Sequence, residues 1–325
     1  MPSRSIVERL AAGDILVMDG GTGSELQKRG VDVYKGATVE RRPMGPEEYG
    51  TTTGHGVWSA TANLEAPDVV RQIHEDYLRA GADIIISNNF YTCRAMLQMI
   101  GEEDRWEEYA RRAAELALQA RDSVNPEAYV AGGFAPPFSS YSGDLKQEFE
   151  DMARLLAECG VDFLLPEYLG GNTVCESPIA DCVTAVEVCA ATGLPVFLGV
   201  CCVTDKGTMY FGESFRELAD ALAGCDLAGI LLMCSYPNEI SACLPELRKA
   251  YSGPIGAYGH IGYDDNPKFG SSPDEPYFSI NTGEYTPERY AEIASDWKKM
   301  GAQIIGGCCA TAPEHIAALP AAVGR

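Results

Sequence analysis

The sequence predicts an α/β fold of the (β/α)8, or TIM-barrel, kind, built as a single domain over residues 1–325. Three observations predict it. Eight short runs rich in Val, Ile, Leu and Phe recur along the chain, longer amphipathic runs separate them, and polar and sulfur-bearing residues gather where the short runs end. Strands buried on both faces read as continuous apolar runs, and helices alternating with them impose a parallel sheet. An open doubly wound sheet alternates in the same way. The count of eight and the polar strand ends favour closure into a barrel.

The expected strands, in order, are ILVMDGG from Ile15, ADIIISNNF from Ala82, AYVAGGF from Ala128, DFLLPEY from Asp162, PVFLGVCC from Pro195, AGILLMCS from Ala228, PIGAYGH from Pro254 and AQIIGGCC from Ala302. Helical stretches lie between them, among them PDVVRQIHEDYLRAGA, DRWEEYARRAAELALQARDSV, LKQEFEDMARLLAECG, SFRELADALAGC and TPERYAEIASDWKKMGA. Several open with Pro, Asp, Ser or Thr and close at Gly, as start and stop signals require. Two segments break the rhythm, residues 27–66 and 261–285, and both are long for connectors, as lids and binding loops are. No linker, repeat or low-complexity tract argues for a second domain.

With 47 acidic against 25 basic residues, the net charge of -22 repels phosphate backbones and anionic lipid. Neither nucleic acid nor membrane is an expected partner. No apolar stretch approaches ~20 residues, and the N-terminus, MPSRSIVERLAAGD, lacks the apolar core of a secretion signal. A cytoplasmic protein is expected. Its twelve cysteines are then reduced by default, and a cluster of them points to metal binding or catalysis rather than cross-linking.

Barrel enzymes draw their sites from the C-terminal ends of several strands. Here those ends hold Asp19, Asn88 with Asn89, Glu167, Cys201 with Cys202, Cys234, His260, and Cys308 with Cys309. Catalytic zinc takes three protein ligands and keeps a fourth position open, so Cys234, Cys308 and Cys309 make a chemically complete set. Gly306 and Gly307 would allow the tight turn that lets adjacent sulfurs face one ion. Cys201 and Cys202 form a rival pair, and free cysteine is also a common buried hydrophobe. Cys159, Cys175, Cys182, Cys189, Cys225 and Cys243, on helices or loops, read as structural, as do His55, His74 and His315.

Five segments in order resemble the homocysteine S-methyltransferase family: DGGTGSELQKRG from Asp19, WSATANLEAPDVVRQIHEDYLRAGADIIISNNF from Trp58, EY at Glu167, LLMCSYP around Cys234 and GGCCATAPEHI from Gly306. The resemblance runs from the first strand to the last helix. It implies a (β/α)8 barrel and a Zn2+ held by Cys234, Cys308 and Cys309, with Cys201 and Cys202 reduced to pocket lining. It also implies that Asp19, Gly20, Gly21, Thr22 and Glu167 hold the amino group and carboxylate of a small thiol acceptor. Asn89, Tyr91 and His260 complete the expected binding set. An ammonium needs a carboxylate partner, and N–H groups bared by glycine can receive a carboxylate.

The implied reaction moves a methyl group from a cationic donor, a sulfonium or quaternary ammonium compound, to that thiol, homocysteine first among the candidates. Aromatic faces suit such a cation. Tyr91 is the first candidate, with Trp58, Phe134, Tyr168 and Tyr236 behind it. The sequence departs from the usual family pattern at His260, where asparagine is common, at the GVCC strand end, and at PEYLGG. Two rival readings use the same cysteines, a thiol redox sensor and a metal-free barrel enzyme with a catalytic cysteine. Oligomeric state leaves no signature separable from ordinary barrel helices.

Overall fold

The computed structural model describes residues 2–37, 56–137, 141–171, 177–201, 203–265 and 278–325. Eight parallel strands form its centre: β1 (Leu16–Val17), β2 (Ile84–Ile86), β3 (Tyr129–Phe134), β4 (Phe163–Pro166), β5 (Phe197–Cys201), β6 (Gly229–Met233), β7 (Ile255–Gly259) and β10 (Ala302–Gly307). Five of them run in the order β1-β10-β7-β6-β5 and three in the order β2-β3-β4. Parallel bridges Met18–Ile84 and Leu164–Val196 span the two seams, so the strands follow one another around a ring. The expected barrel and all eight expected strands are present. Each is shorter than its apolar run, because the glycines and polar residues at the ends turn out of the ladder.

Side chains alternate across these strands, as a period of two demands. Leu16, Met18, Ile84, Phe163, Leu231 and Ile304 fill the interior, which Ile6 and Leu10 of helix α1 (Ile6–Ala11) close at one end. Val17, Ile85, Leu164, Ile230 and Ile305 face outward against the helices. The five expected helices form at α4 (Pro67–Arg79), α6 (Trp106–Val124), α7 (Leu145–Cys159), α9 (Phe215–Ala221) and α11 (Pro287–Lys299). Their starts carry the expected chemistry. Asp144 and Thr286 cap α7 and α11, and Ser214 with Glu217 forms a capping box on α9. Gly160 ends α7 with a left-handed φ of 86°.

The two long segments are not wholly irregular. The first contains the short helix α3 (Ala62–Glu65), and the second carries a hairpin, β8 (Tyr263–Asp265) with β9 (Phe278–Ile280). Apolar periodicity is blind to elements this short. Residues 38–55 and 266–277, and with them His55, lie outside the described residues, as do Cys175 and Cys202.

Candidate active site

Two strand ends bring three thiols together. Cys234 follows β6 with a left-handed φ of 45°, and its N–H donates to Tyr258 O at 3.1 Å. Cys308 and Cys309 follow β10, tied by Cys308 N–H to Gly259 O (2.9 Å) and Ile261 N–H to Cys309 O (3.0 Å). The Sγ atoms of Cys234 and Cys309 are 3.8 Å apart, those of Cys308 and Cys309 4.0 Å, and all three lie within 4.8 Å of one another. No disulfide joins them. A tetrahedral ion with zinc–thiolate bonds of about 2.3 Å sets its sulfurs about 3.8 Å apart, so the spacing fits one ion. Hydrogen bonds from Cys234 and Cys308, with a further one from His260, hold the Cys309 thiol well below its ordinary range. Contacts with Cys308 and Cys309, together with burial, push Cys234 up.

Asp19 and Glu167 are buried carboxylates at the ends of β1 and β4. Asp19 Oδ2 accepts from Ile86 N–H at 2.8 Å, while Oδ1 has no hydrogen-bond partner among the described residues. Burial pushes its pKa well up. Glu167 Oε2 accepts from the Tyr258 hydroxyl at 3.1 Å, and burial pushes this carboxyl up to about 8. Glycines make its space: a β-carbon on Gly199 would lie 2.8 Å from Glu167 Cβ, and one on Gly133 2.9 Å from Oε1. The Gly20–Gly21 turn packs equally closely on the cysteine pair, since a β-carbon on Gly21 would lie 2.6 Å from Cys308 O. From that turn Thr22 opens α2 (Thr22–Lys28).

Gly20, Gly21, Thr22, Glu167, His260 and the three cysteines line one pocket at this end of the barrel. Trp58, Phe90, Tyr91 and Tyr168 make its aromatic side, with Phe90 5.4 Å from Tyr168 and 4.6 Å from Tyr91, ring centre to ring centre. Trp58, Ser59, Tyr168 and Cys234 all have positive φ, and all four line the pocket. Such conformations persist in residues other than glycine only where the surroundings impose them.

Several expected residues land elsewhere. Asn89 does not reach the pocket: its amide donates to Thr92 Oγ1 and Ala110 O, bracing the loop against α6, and Asn88 lines the pocket instead. A one-residue step at a strand end reverses the side chain, so the NN pair could supply only one. Cys201 is buried in the barrel interior beside Met233 rather than in the pocket lining. Phe134 packs on Phe149, and Tyr236, not among the pocket-lining residues, meets His260 edge to face with ring centres 4.4 Å apart. His315 bonds Ala312 N–H and Tyr285 O, and so is structural. Sequence reasoning missed Tyr258, whose hydroxyl, inside an apolar strand, signalled a need for a buried partner.

A model of the homocysteine S-methyltransferase family matches residues 16–323. Betaine–homocysteine S-methyltransferase 1 of Bos taurus is 26% identical over 97% of this chain and 74% of its own. Homocysteine S-methyltransferase 4 of Zea mays is 26% identical over 96% and 90%. An S-methylmethionine–homocysteine S-methyltransferase of Pongo abelii is 28% identical over 97% and 80%. The metallated Escherichia coli homocysteine methyltransferase MmuM shares the fold, with a TM-score of 0.73 at 23% identity over 97% of this chain and 98% of that one. With a match running from β1 to the last helix, the chain belongs to the homocysteine S-methyltransferase family.

Proposed function

We propose that this protein moves a methyl group from a small sulfonium or quaternary ammonium compound to the sulfur of homocysteine, with Zn2+ held by Cys234, Cys308 and Cys309. The observation that carries this is three free sulfurs at tetrahedral spacing in one pocket with the buried carboxylate of Glu167 and an aromatic wall, while Asp19 lies buried next to the Gly20–Gly21 turn and is not itself among the lining residues. Zinc bound there would keep the acceptor sulfur as a thiolate, a form that a thiol of pKa ~8.5 supplies poorly at neutral pH.

The chain's own residues do the rest. Asp19 and Glu167 receive the acceptor's ammonium, which supplies the cation that both buried carboxylates need. Backbone N–H groups of Gly20 and Thr22 take the carboxylate, the Gly21 N–H being held by Thr311 at 3.2 Å. Gly133 and Gly199 leave Glu167 room to sit inside the ring, and Tyr258 fixes its direction. On the other side, the faces of Trp58, Phe90, Tyr91 and Tyr168 attract a positive donor. Displacement at a methyl carbon depends on donor and acceptor sharing one axis, which the two walls provide by position. The donor's cationic centre becomes neutral on transfer, so the aromatic wall releases the demethylated product. His260, beside Cys309, and Tyr168, on the aromatic side, are pocket residues in which this chain departs from the usual family pattern.

The test supplies homocysteine with S-methylmethionine, betaine or a dimethylsulfonium compound to zinc-loaded and zinc-free protein, with methionine followed by mass spectrometry. Zinc-dependent methionine from one donor is expected. Stoichiometric zinc without methionine from any donor would move the acceptor to another small thiol. Reversible oxidation of the thiols as the sole response would favour a redox sensor.

A further inference from the structure

The aromatic side of the pocket is held by a buried amide network. Trp58 and Ser59 both adopt the left-handed backbone, with φ of 22° and 53°, which residues bearing a β-carbon avoid. Ser59 Oγ donates to Asn88 Oδ1 at 2.8 Å, and Asn88 Nδ2 donates to Ser59 O at 3.1 Å, so one amide clasps both side chain and carbonyl. Asn88 is oriented in turn by Asn63. Asn63 Oδ1 accepts from Asn88 Nδ2 at 2.9 Å, and Asn63 Nδ2 donates to Asn88 O at 3.0 Å. Both asparagines are buried, and Asn63, on α3, is not among the residues that line the pocket. From the opposite side, the indole of Trp58 rests on Gly23, where a β-carbon would fall 2.5 Å from the ring. The ring cannot move toward α2, and its backbone cannot relax away from β2.

We propose that Asn63 and Asn88 are positioning residues for the methyl donor, holding Trp58 as one face of the donor side of the pocket. This rests on the reading that the aromatic side receives the cation. The network is satisfied by its own members, so loss of Asn63 leaves buried amide groups of Asn88 unpaired and loosens the clasp on Ser59. The effect then travels through Trp58 to the donor, and neither the carboxylates nor the thiols take part.

The experiment compares Asn63→Ala with the parent, in zinc-loaded protein, with and without Trp58→Ala, using homocysteine and either S-methylmethionine or betaine. Expected is a donor KM raised about tenfold by Asn63→Ala, with zinc stoichiometry and homocysteine affinity held, and no added effect once Trp58→Ala is present. Asn63→Ser, a milder change, should give the same split if Asn63→Ala does not fold. An equal rise in both backgrounds, or parallel losses of donor KM, acceptor affinity and zinc, would overturn the proposal and leave Asn63 a merely structural residue. If Trp58→Ala alone leaves donor KM unchanged, the donor-side reading itself fails and takes the proposal with it, an outcome visible without any change at Asn63.

Discussion

Glu167 sits inside the barrel with a hydrogen bond from Tyr258 to offset its burial, and that balance makes it measurable. Its folded pKa of about 8 lies above its ordinary 4.5, so the folded protein keeps a proton that the unfolded chain releases. The stability this contributes is complete below pH 4.5 and is lost as pH rises through about 8, at a slope of up to about 1.4 kcal/mol per pH unit. Glu167→Gln should remove that slope, as urea unfolding of zinc-free protein across the window would show. In zinc-loaded protein the same variant should bind homocysteine at least about tenfold more weakly with zinc unchanged, since a charged hydrogen bond is worth about 1.5–3 kcal/mol. Unchanged calorimetric affinity would remove Glu167 from the acceptor site. Cys308→Ala should lose zinc and turnover together while far-ultraviolet circular dichroism stays that of the parent. Full activity in that variant would exclude the tris-thiolate site.

At the scale of elements, the thiol cluster depends on the ends of β7 and β10 staying in register. Tyr290 of α11 secures them: its buried hydroxyl donates to Gly306 O at 2.7 Å and accepts from Gly259 N–H at 3.2 Å. One side chain thus ties the strand before His260 to the strand before Cys308. Tyr290→Phe should cost about 1–3 kcal/mol through the unpaired buried carbonyl and should speed zinc loss to a competing chelator. Chelator kinetics identical to those of the parent would show that the strand ends hold their register without it.

Across the whole molecule, His74 marks a weak point in the outer core. It lies on α4, fully buried, and neither ring nitrogen has a hydrogen-bond partner among the described residues. Burial lowers its pKa from 6.5 to about 4. The unfolded chain therefore takes up the proton first, so stability is complete above pH 6.5 and falls as pH drops through about 4, at up to about 1.4 kcal/mol per unit. Relative to the parent, His74→Leu should gain stability between pH 7 and pH 5 in urea unfolding, because the Glu167 contribution is common to both and cancels in the difference. A parent–variant difference that is the same at both pH values would assign the acid sensitivity elsewhere.

The sequence by itself determined the order of the strands, the barrel, the helix starts and the identity of the three thiols. Each of these is written in local periodicity, in capping residues or in ordered motifs that survive reading along a line. It placed Asp19 and Glu167 at strand ends, yet a strand end alone could equally have held a helix cap or a solvated carboxylate. Tertiary structure decided those cases by burying both and packing the Gly20–Gly21 turn on Cys308. It also chose Asn88 over Asn89, put Cys201 in the core, and brought Tyr258, Met233 and Asn63 into play from strands and helices far apart in the chain. The physical reason is that side-chain direction at a turn, and the space left by a glycine, depend on what the neighbouring strand places opposite, and no single segment encodes its neighbour.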